Sequence, residues 1–303
     1  MTILLLGKDG QVGWQLQRSL APHGPVLACG RAECDLGDLD QLRRVLREVQ
    51  PSVIVNAAAY TAVDKAEAES ELAQRINAEA PAILAADAAA SGALLVHYST
   101  DYVYDGSKAT PWVESDPIGP VSVYGRSKLA GEEAIRAAGC RSLIFRTSWV
   151  FGARGGNFVK TILRLAREKE ALNVVDDQVG SPTPAALIAT VTGVALAMLH
   201  RGALLEPGES RLYHLAAANP VSWCAFARTI VGLAGAMPGF ELRLTPAAIR
   251  AIATADYPTP AKRPANSRLD CSHLEDDFGL QMPDWQPYLE RMLQLLALKQ
   301  NGY

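Results

Sequence analysis

The sequence predicts an α/β fold: a doubly wound parallel sheet with a smaller, interleaved α+β region. Three observations carry this. Short unbroken apolar runs recur through the first half, at Ile3–Leu6, Val26–Cys29, 53–59, 93–98 and 143–146, as expected of strands buried on both faces. Helical patterns separate them. A glycine loop, Gly7-Lys8-Asp9-Gly10-Gln11-Val12-Gly13, joins the first run to the first helix, the strand–loop–helix context of a Rossmann-type dinucleotide fingerprint. Residues 1–150 therefore read as a dinucleotide-binding domain. Residues 151–303 read mainly as a substrate-binding region, with a segment at about 172–200 returning to the first domain.

Composition narrows the function classes. The chain has 303 residues, 49% of them hydrophobic and 20% charged, which suits a globular enzyme with a sizeable core. A formal charge of -3 argues against nucleic-acid binding. The five cysteines are scattered without metal-ligand spacing, and thiols in a reducing cytoplasm are the expectation. The apolar start stops at Gly7 and reads as a first strand. The apolar stretch 185–199 is too short to span a bilayer.

Taken in order, the glycines Gly7, Gly10 and Gly13 let the backbone turn sharply and approach a pyrophosphate at a helix N-terminus, with Gln11 and Val12 opening that helix. The second strand ends at Gly30-Arg31, where an NAD site usually carries an acidic residue. A guanidinium in its place favours a 2'-phosphate and hence NADPH, with NADH still possible. Asp35 and Leu36 follow, in position to face an adenine. Residues 38–49 form an amphipathic helix closed by Pro51. The run 53–59 ends in Ala57, Ala58 and Ala59, whose small side chains leave room for a ligand at the crevice. Residues 61–90 are helical, and Pro81 divides them into two helices.

The strand at 93–98 runs into Ser99-Thr100-Asp101, placing the Thr100 hydroxyl in the crevice to polarise a carbonyl. His97 reads as a satisfied core residue. After a proline-rich loop, Tyr124 and Lys128 stand four apart at the start of a helix, so they share a face. An ammonium there would pull the phenol's pKa down, so that it can exchange a proton with a carbonyl oxygen. Tyr104 and Lys108 have the same spacing but run through a turn. Trp149, leaving the last strand of the first half, stacks on a base or sugar or fills the core. A helix spans 157–169, and the loop 258–269 carries Lys262, Arg263 and Arg268, a patch suited to a phosphate-bearing substrate.

With these motifs in this order, the chain resembles the extended short-chain dehydrogenase/reductase family. Asn56-Ala57-Ala58-Ala59-Tyr60-Thr61, Ser99-Thr100-Asp101-Tyr102-Val103-Tyr104-Asp105-Gly106, Arg146-Thr147-Ser148-Trp149-Val150 and Arg263-Pro264-Ala265-Asn266-Ser267-Arg268-Leu269 narrow the resemblance to its dTDP-4-dehydrorhamnose reductase branch. The resemblance implies reduction of the 4-keto group of a dTDP-6-deoxyhexulose to dTDP-L-rhamnose by NADPH or NADH. It implies Tyr124 as proton donor, with Lys128 tuning it and binding the nicotinamide ribose. Thr100, Asp101, Trp149, Asn157 and Arg263 would contact the substrate. Tyr60, Thr61 and Tyr98 join Asp35, Leu36 and Ala59 in lining the cofactor.

Where some members hold magnesium between glutamates, this chain has Gln15 and Ala186, so no metal site is expected. The expected partners are a nucleotide-sugar substrate and at most a second copy of the chain, in the cytoplasm, without nucleic acid or membrane. A non-catalytic relative, such as the regulatory β subunit of methionine adenosyltransferase, is the alternative. An epimerase or dehydratase that retains NAD is a third.

Overall fold

A computed structural model describes residues 2–200, 205, 206 and 208–300. In chain order it runs β1 (Ile3–Leu6), α1 (Gln11–Leu20), β2 (Val26–Cys29), α2 (Leu39–Val49), β3 (Val53–Asn56), α3 (Val63–Ala66), α4 (Ser70–Gln74), α5 (Ala80–Ser91), β4 (Leu94–Thr100), α6 (Val123–Ala137), β5 (Ser142–Thr147) and β6 (Val150–Phe151). The second half adds α7 (Phe158–Glu168), β7 (Leu172–Val175), β8 (Val179–Gly180), β9 (Thr183–Pro184), α8 (Ala185–His200), β10 (Ser210–His214), β11 (Val221–Ser222), α9 (Trp223–Gly235), β12 (Ile249–Ile252), β13 (Asn266–Ser267), α10 (Ser272–Phe278) and α11 (Gln286–Gln300).

Strand alternation divides the unbroken apolar runs into two cores. Ile3, Leu5, Val53, Val55, Val96, Leu143 and Phe145 face one side, against α1, α7, α8 and α9. Leu4, Leu6, Ile54, Leu95 and Ile144 face the other, against α2 and α5. A strand whose successive side chains enter different cores has no polar face, which is why these strands read as runs rather than alternations. The six-stranded sheet has the order β10-β5-β4-β3-β1-β2, with every pairing parallel. The order reverses between β1 and β3, opening a crevice at their carboxyl ends. Gly7 lies there with φ +86°, and a Cβ on it would come within 2.8–2.9 Å of the Ala57–Ala58 backbone, so the loop closes only on glycine.

The structure departs from the sequence reading in three places. Pro81 does not break the helical region. A π turn over Arg75–Glu79 carries the chain from α4 into α5, and the proline falls in the first turn of α5, where no N–H is needed. The strand expected over 53–59 stops at Asn56, leaving Ala57–Ala59 as irregular backbone along the crevice. The sixth strand, Ser210–His214, has no apolar run to announce it. Ser210, Arg211 and Leu212 at this edge are only part-buried, and Arg211 pairs with Glu209 and Asp277.

Candidate active site

Two strand ends and the start of α6 build the centre of the site. Ser122 caps α6 by accepting a hydrogen bond from the Gly125 N–H at 3.1 Å, fixing where the helix begins. Gly125 and Gly131 let it lie close to its neighbours: a Cβ at Gly125 would sit 2.3 Å from the Tyr102 carbonyl, and one at Gly131 2.2 Å from that of Asn77. Tyr124 and Lys128 thus face the carboxyl end of β4, both buried. The Thr100 hydroxyl lies close enough to the Tyr124 phenol to influence its ionisation. It also donates to Asp101 Oδ1 at 3.1 Å and accepts from the Tyr102 N–H at 3.2 Å. Tyr102 meets the Tyr124 ring edge-on at 5.4 Å.

The electrostatics correct one expectation. Burial pushes the Tyr124 phenol up to about 12, with Thr100 opposing the rise and Asp101 adding to it. Lys128 goes down to about 8, again chiefly through burial. Its Nζ donates to the Tyr98 carbonyl at 2.7 Å and contacts His97 Nε2 at 3.1 Å. The lysine is therefore engaged by β4, and the phenol is not made acidic by it. Asp101 is also buried, and its pKa rises to about 6 from desolvation, opposed by nearby Ser267 and by the Thr100 hydrogen bond. Its Oδ2 has no partner, nor do the buried Ser99 Oγ and Thr147 Oγ1 at the same strand ends or Arg263 Nε. Buried polar atoms left unpaired around one cleft are what a polar ligand would satisfy.

The dinucleotide side fits its group. α1 starts at Gln11 without a side-chain cap, so the first N–H groups, those of Gln11 and Val12 among them, remain available to a pyrophosphate. A Cβ on Gly13 would meet the Gly7 carbonyl at 2.0 Å. At the end of β2, Arg31 is exposed. The sequence reading saw no carboxylate here, but Glu33 folds back to supply one. It accepts from the Gly30 N–H at 2.8 Å and pairs with Lys8 at 2.6 Å. Asp35 uses Oδ1 to accept from the Gly37 N–H, Leu36 is buried in the α2 core, and Thr61 is exposed. Tyr60 has both its N–H and its carbonyl bound by the Asn77 side chain, which also donates to Ser127 on α6. Asn77 lies between Arg75 and Glu79 in a mixed helical stretch, so nothing in the sequence announced this tie.

Several expected contacts are spent within the protein. The Tyr98 hydroxyl bonds Thr192 at 2.8 Å on the α8 side, so only its carbonyl reaches the site. Asn157 donates to Gln11 at 2.8 Å and to the Gly152 carbonyl at 2.7 Å, and it caps α7 through Lys160. Trp149, at φ +47°, stacks on Trp223 with 3.4 Å between ring centroids. Of the basic loop, Arg263 pairs with Asp64 at 2.7 Å and Arg268 donates to the Asn266 side chain and the Ala109 carbonyl, so it is a set of ties rather than a free patch. The rival pair is excluded by placement. The Tyr104 hydroxyl lies among Arg146, His214 and the Val113 carbonyl, while Lys108 pairs with Asp116.

A parallel Rossmann-type sheet whose strand-end threonine meets a Tyr-x-x-x-Lys helix defines the short-chain dehydrogenase/reductase class. The family model described as RmlD substrate binding domain matches residues 1–298, and the chain belongs to that family. It is 48% identical to the dTDP-4-dehydrorhamnose reductase of Burkholderia thailandensis over 94% of this chain and 96% of that one. Identity to the Escherichia coli K12 dTDP-4-dehydrorhamnose reductase is 46%, with 97% of each chain covered. The Bacillus anthracis dTDP-4-dehydrorhamnose reductase, crystallised in complex with NADP, superposes with a TM-score of 0.86 at 32% identity, covering 97% of this chain and 99% of that one.

Proposed function

We propose that this protein reduces dTDP-4-dehydro-6-deoxy-L-mannose to dTDP-L-rhamnose with NADPH, accepting NADH as well. The observation that carries the reading is the pairing of buried Thr100 and Tyr124 at the sheet's carboxyl end. A phenol facing a hydroxyl can offer its proton to a carbonyl oxygen lodged between them, while the threonine polarises the same oxygen. The Gly7–Gly13 loop, the free N-terminus of α1, Ala57–Ala59 and the Tyr60 backbone would hold the cofactor, with Lys8 and Arg31 near any 2'-phosphate. Bound there, the reduced nicotinamide supplies the hydride.

Asp101, with its unpaired oxygen, and Arg263, with its unpaired Nε, are the groups best placed to accept from and donate to the substrate. Trp149 offers a ring at the same mouth, and Asn157 acts by clamping the glycine loop to the second half. Residues 151–303 would then be mainly substrate-binding, with α8 serving the first domain by packing on α1. Among the described residues no helix is long and apolar enough to cross a membrane. A cytoplasmic enzyme working as monomer or homodimer fits this reading. The test is a screen of keto sugar nucleotides with both reduced cofactors. The dTDP-4-keto sugar should be turned over with stoichiometric NADPH loss, and binding without turnover would return the non-catalytic alternative.

A further inference from the structure

The adenosine end of the cofactor site is closed by a carboxylate of the chain itself. The Cys29 carbonyl at the end of β2 accepts from the Gly7 and Lys8 N–H groups at 2.8 and 3.1 Å, so the glycine loop lies against that strand end. The chain then turns back, the Cys34 N–H donating to the Gly30 carbonyl at 2.9 Å. This turn returns Glu33 to the strand. Its Oε2 accepts from the Gly30 N–H at 2.8 Å and its Oε1 from Lys8 Nζ at 2.6 Å. Both contacts hold the Glu33 carboxyl below its usual range, so it is an anion at neutral pH. A second carboxylate stands beside it: a Cβ on Gly30 would lie 2.0 Å from Asp9 Oδ2, so only a glycine fits there. Arg31 is exposed and makes neither a hydrogen bond nor an ion pair among the described residues.

An ammonium and a backbone N–H that converge on one carboxylate are the donor set of an anion site, and the ribose 2'-position of a dinucleotide lies at this strand end. We propose that Glu33 sets the choice of cofactor. Its carboxylate fills the anion site formed by Lys8 and the Gly30 N–H, so the 2'-phosphate of NADPH must displace it. The 2'-hydroxyl of NADH instead donates to Glu33 where it stands. Displacement needs no backbone motion, because the Glu33 side chain is half exposed and an exposed ion pair holds its partners weakly. With Glu33 turned to solvent, Lys8 and the Gly30 N–H bind the phosphate and Arg31 flanks it, while Asp9 stays and repels it. NADH meets no such opposition. Both cofactors are therefore accepted, and the preference for NADPH is smaller than Lys8 and Arg31 alone would give.

The inference deepens the reductase reading and rests on its cofactor site, not on turnover. The test is the dissociation constant of NADPH and of NADH, read from nicotinamide fluorescence, for the full chain as wild type, Glu33→Gln and Lys8→Met. In Glu33→Gln the amide oxygen can still accept from the Gly30 N–H, but Lys8 is left free for the phosphate. The preference for NADPH over NADH should rise by about tenfold, through tighter NADPH binding. In Lys8→Met it should fall, because the cation is gone and Glu33 still faces the phosphate. An unchanged preference in Glu33→Gln would overturn the inference and leave the Lys8–Glu33 pair a solvated surface contact. Affinities for both cofactors that drop by the same factor in each variant would overturn it too, since that marks a loop merely held in place. Wild type that binds neither cofactor would strike the reductase reading along with it.

Discussion

Asp101 carries a cost that the fold accepts at the cleft. Its carboxyl is buried with one oxygen unpaired, and its pKa is about 6 instead of 3.8. A pKa raised in the folded state means that the folded protein binds the proton more tightly. The stability is present in full below the unfolded value and is lost as pH rises through about 6. By about two pH units the penalty reaches roughly 3 kcal/mol above that range. Asp101→Asn removes the charge while keeping an oxygen for Thr100. Its unfolding free energy relative to wild type should rise by roughly 2 kcal/mol between about pH 4.5 and 7.5, measured by urea titration at both. A gap that does not change with pH would mean that Asp101 is ionised at no cost. The residue type and place of Asp101 were legible in the sequence, because Ser-Thr-Asp follows an apolar run. Its unpaired oxygen was not, since burial depends on segments distant in the chain.

The helix α6 is the element that aligns the chemistry, and it is held from two sides. Gly131 lets it approach the Asn77 carbonyl in the π turn, while Glu132 binds Arg146 of β5 with both residues almost wholly buried. Gly131→Ala would put a Cβ 2.2 Å from that carbonyl. Overpacking of this kind costs about 1–3 kcal/mol, and the shifted helix should lower kcat along with the melting temperature. Glu132→Gln leaves a buried guanidinium short of its counter-charge, a loss on the order of 3–5 kcal/mol in chemical denaturation. The sequence showed that Tyr124 and Lys128 share a helix face, because periodicity is local. It could not show that Lys128 is bound by β4 rather than aimed at the phenol. His97 and the Tyr98 carbonyl come from a strand thirty residues away, and an apolar run says nothing of what its single imidazole touches.

Across the whole molecule, the second half closes the cleft that the first half opens. Asn266 holds the 106–112 segment by donating to the Lys108 and Thr110 carbonyls, each at 2.8 Å, and its own carbonyl accepts from the Trp112 indole. Ser267 reaches Asp101, Arg263 reaches Asp64, and Asn157 reaches Gln11. Five of the six sheet strands were visible as apolar runs. The sixth was not, because Ser210, Arg211 and His214 interrupt its apolar side chains. The basic 262–268 loop looked like a phosphate patch in the sequence, and only the fold shows its arginines tied to Asp64, Asn266 and Ala109. The central claim is that the Tyr124 phenol delivers the proton in reduction of the 4-keto sugar nucleotide. Its most direct test is NADPH consumption with that substrate by wild type and by Tyr124→Phe, alongside NADPH affinity. Wild type should consume cofactor one-for-one with dTDP-L-rhamnose, and the variant should bind NADPH as before and turn over at least ~100-fold more slowly. A Tyr124→Phe protein that works at the wild-type rate would contradict the account.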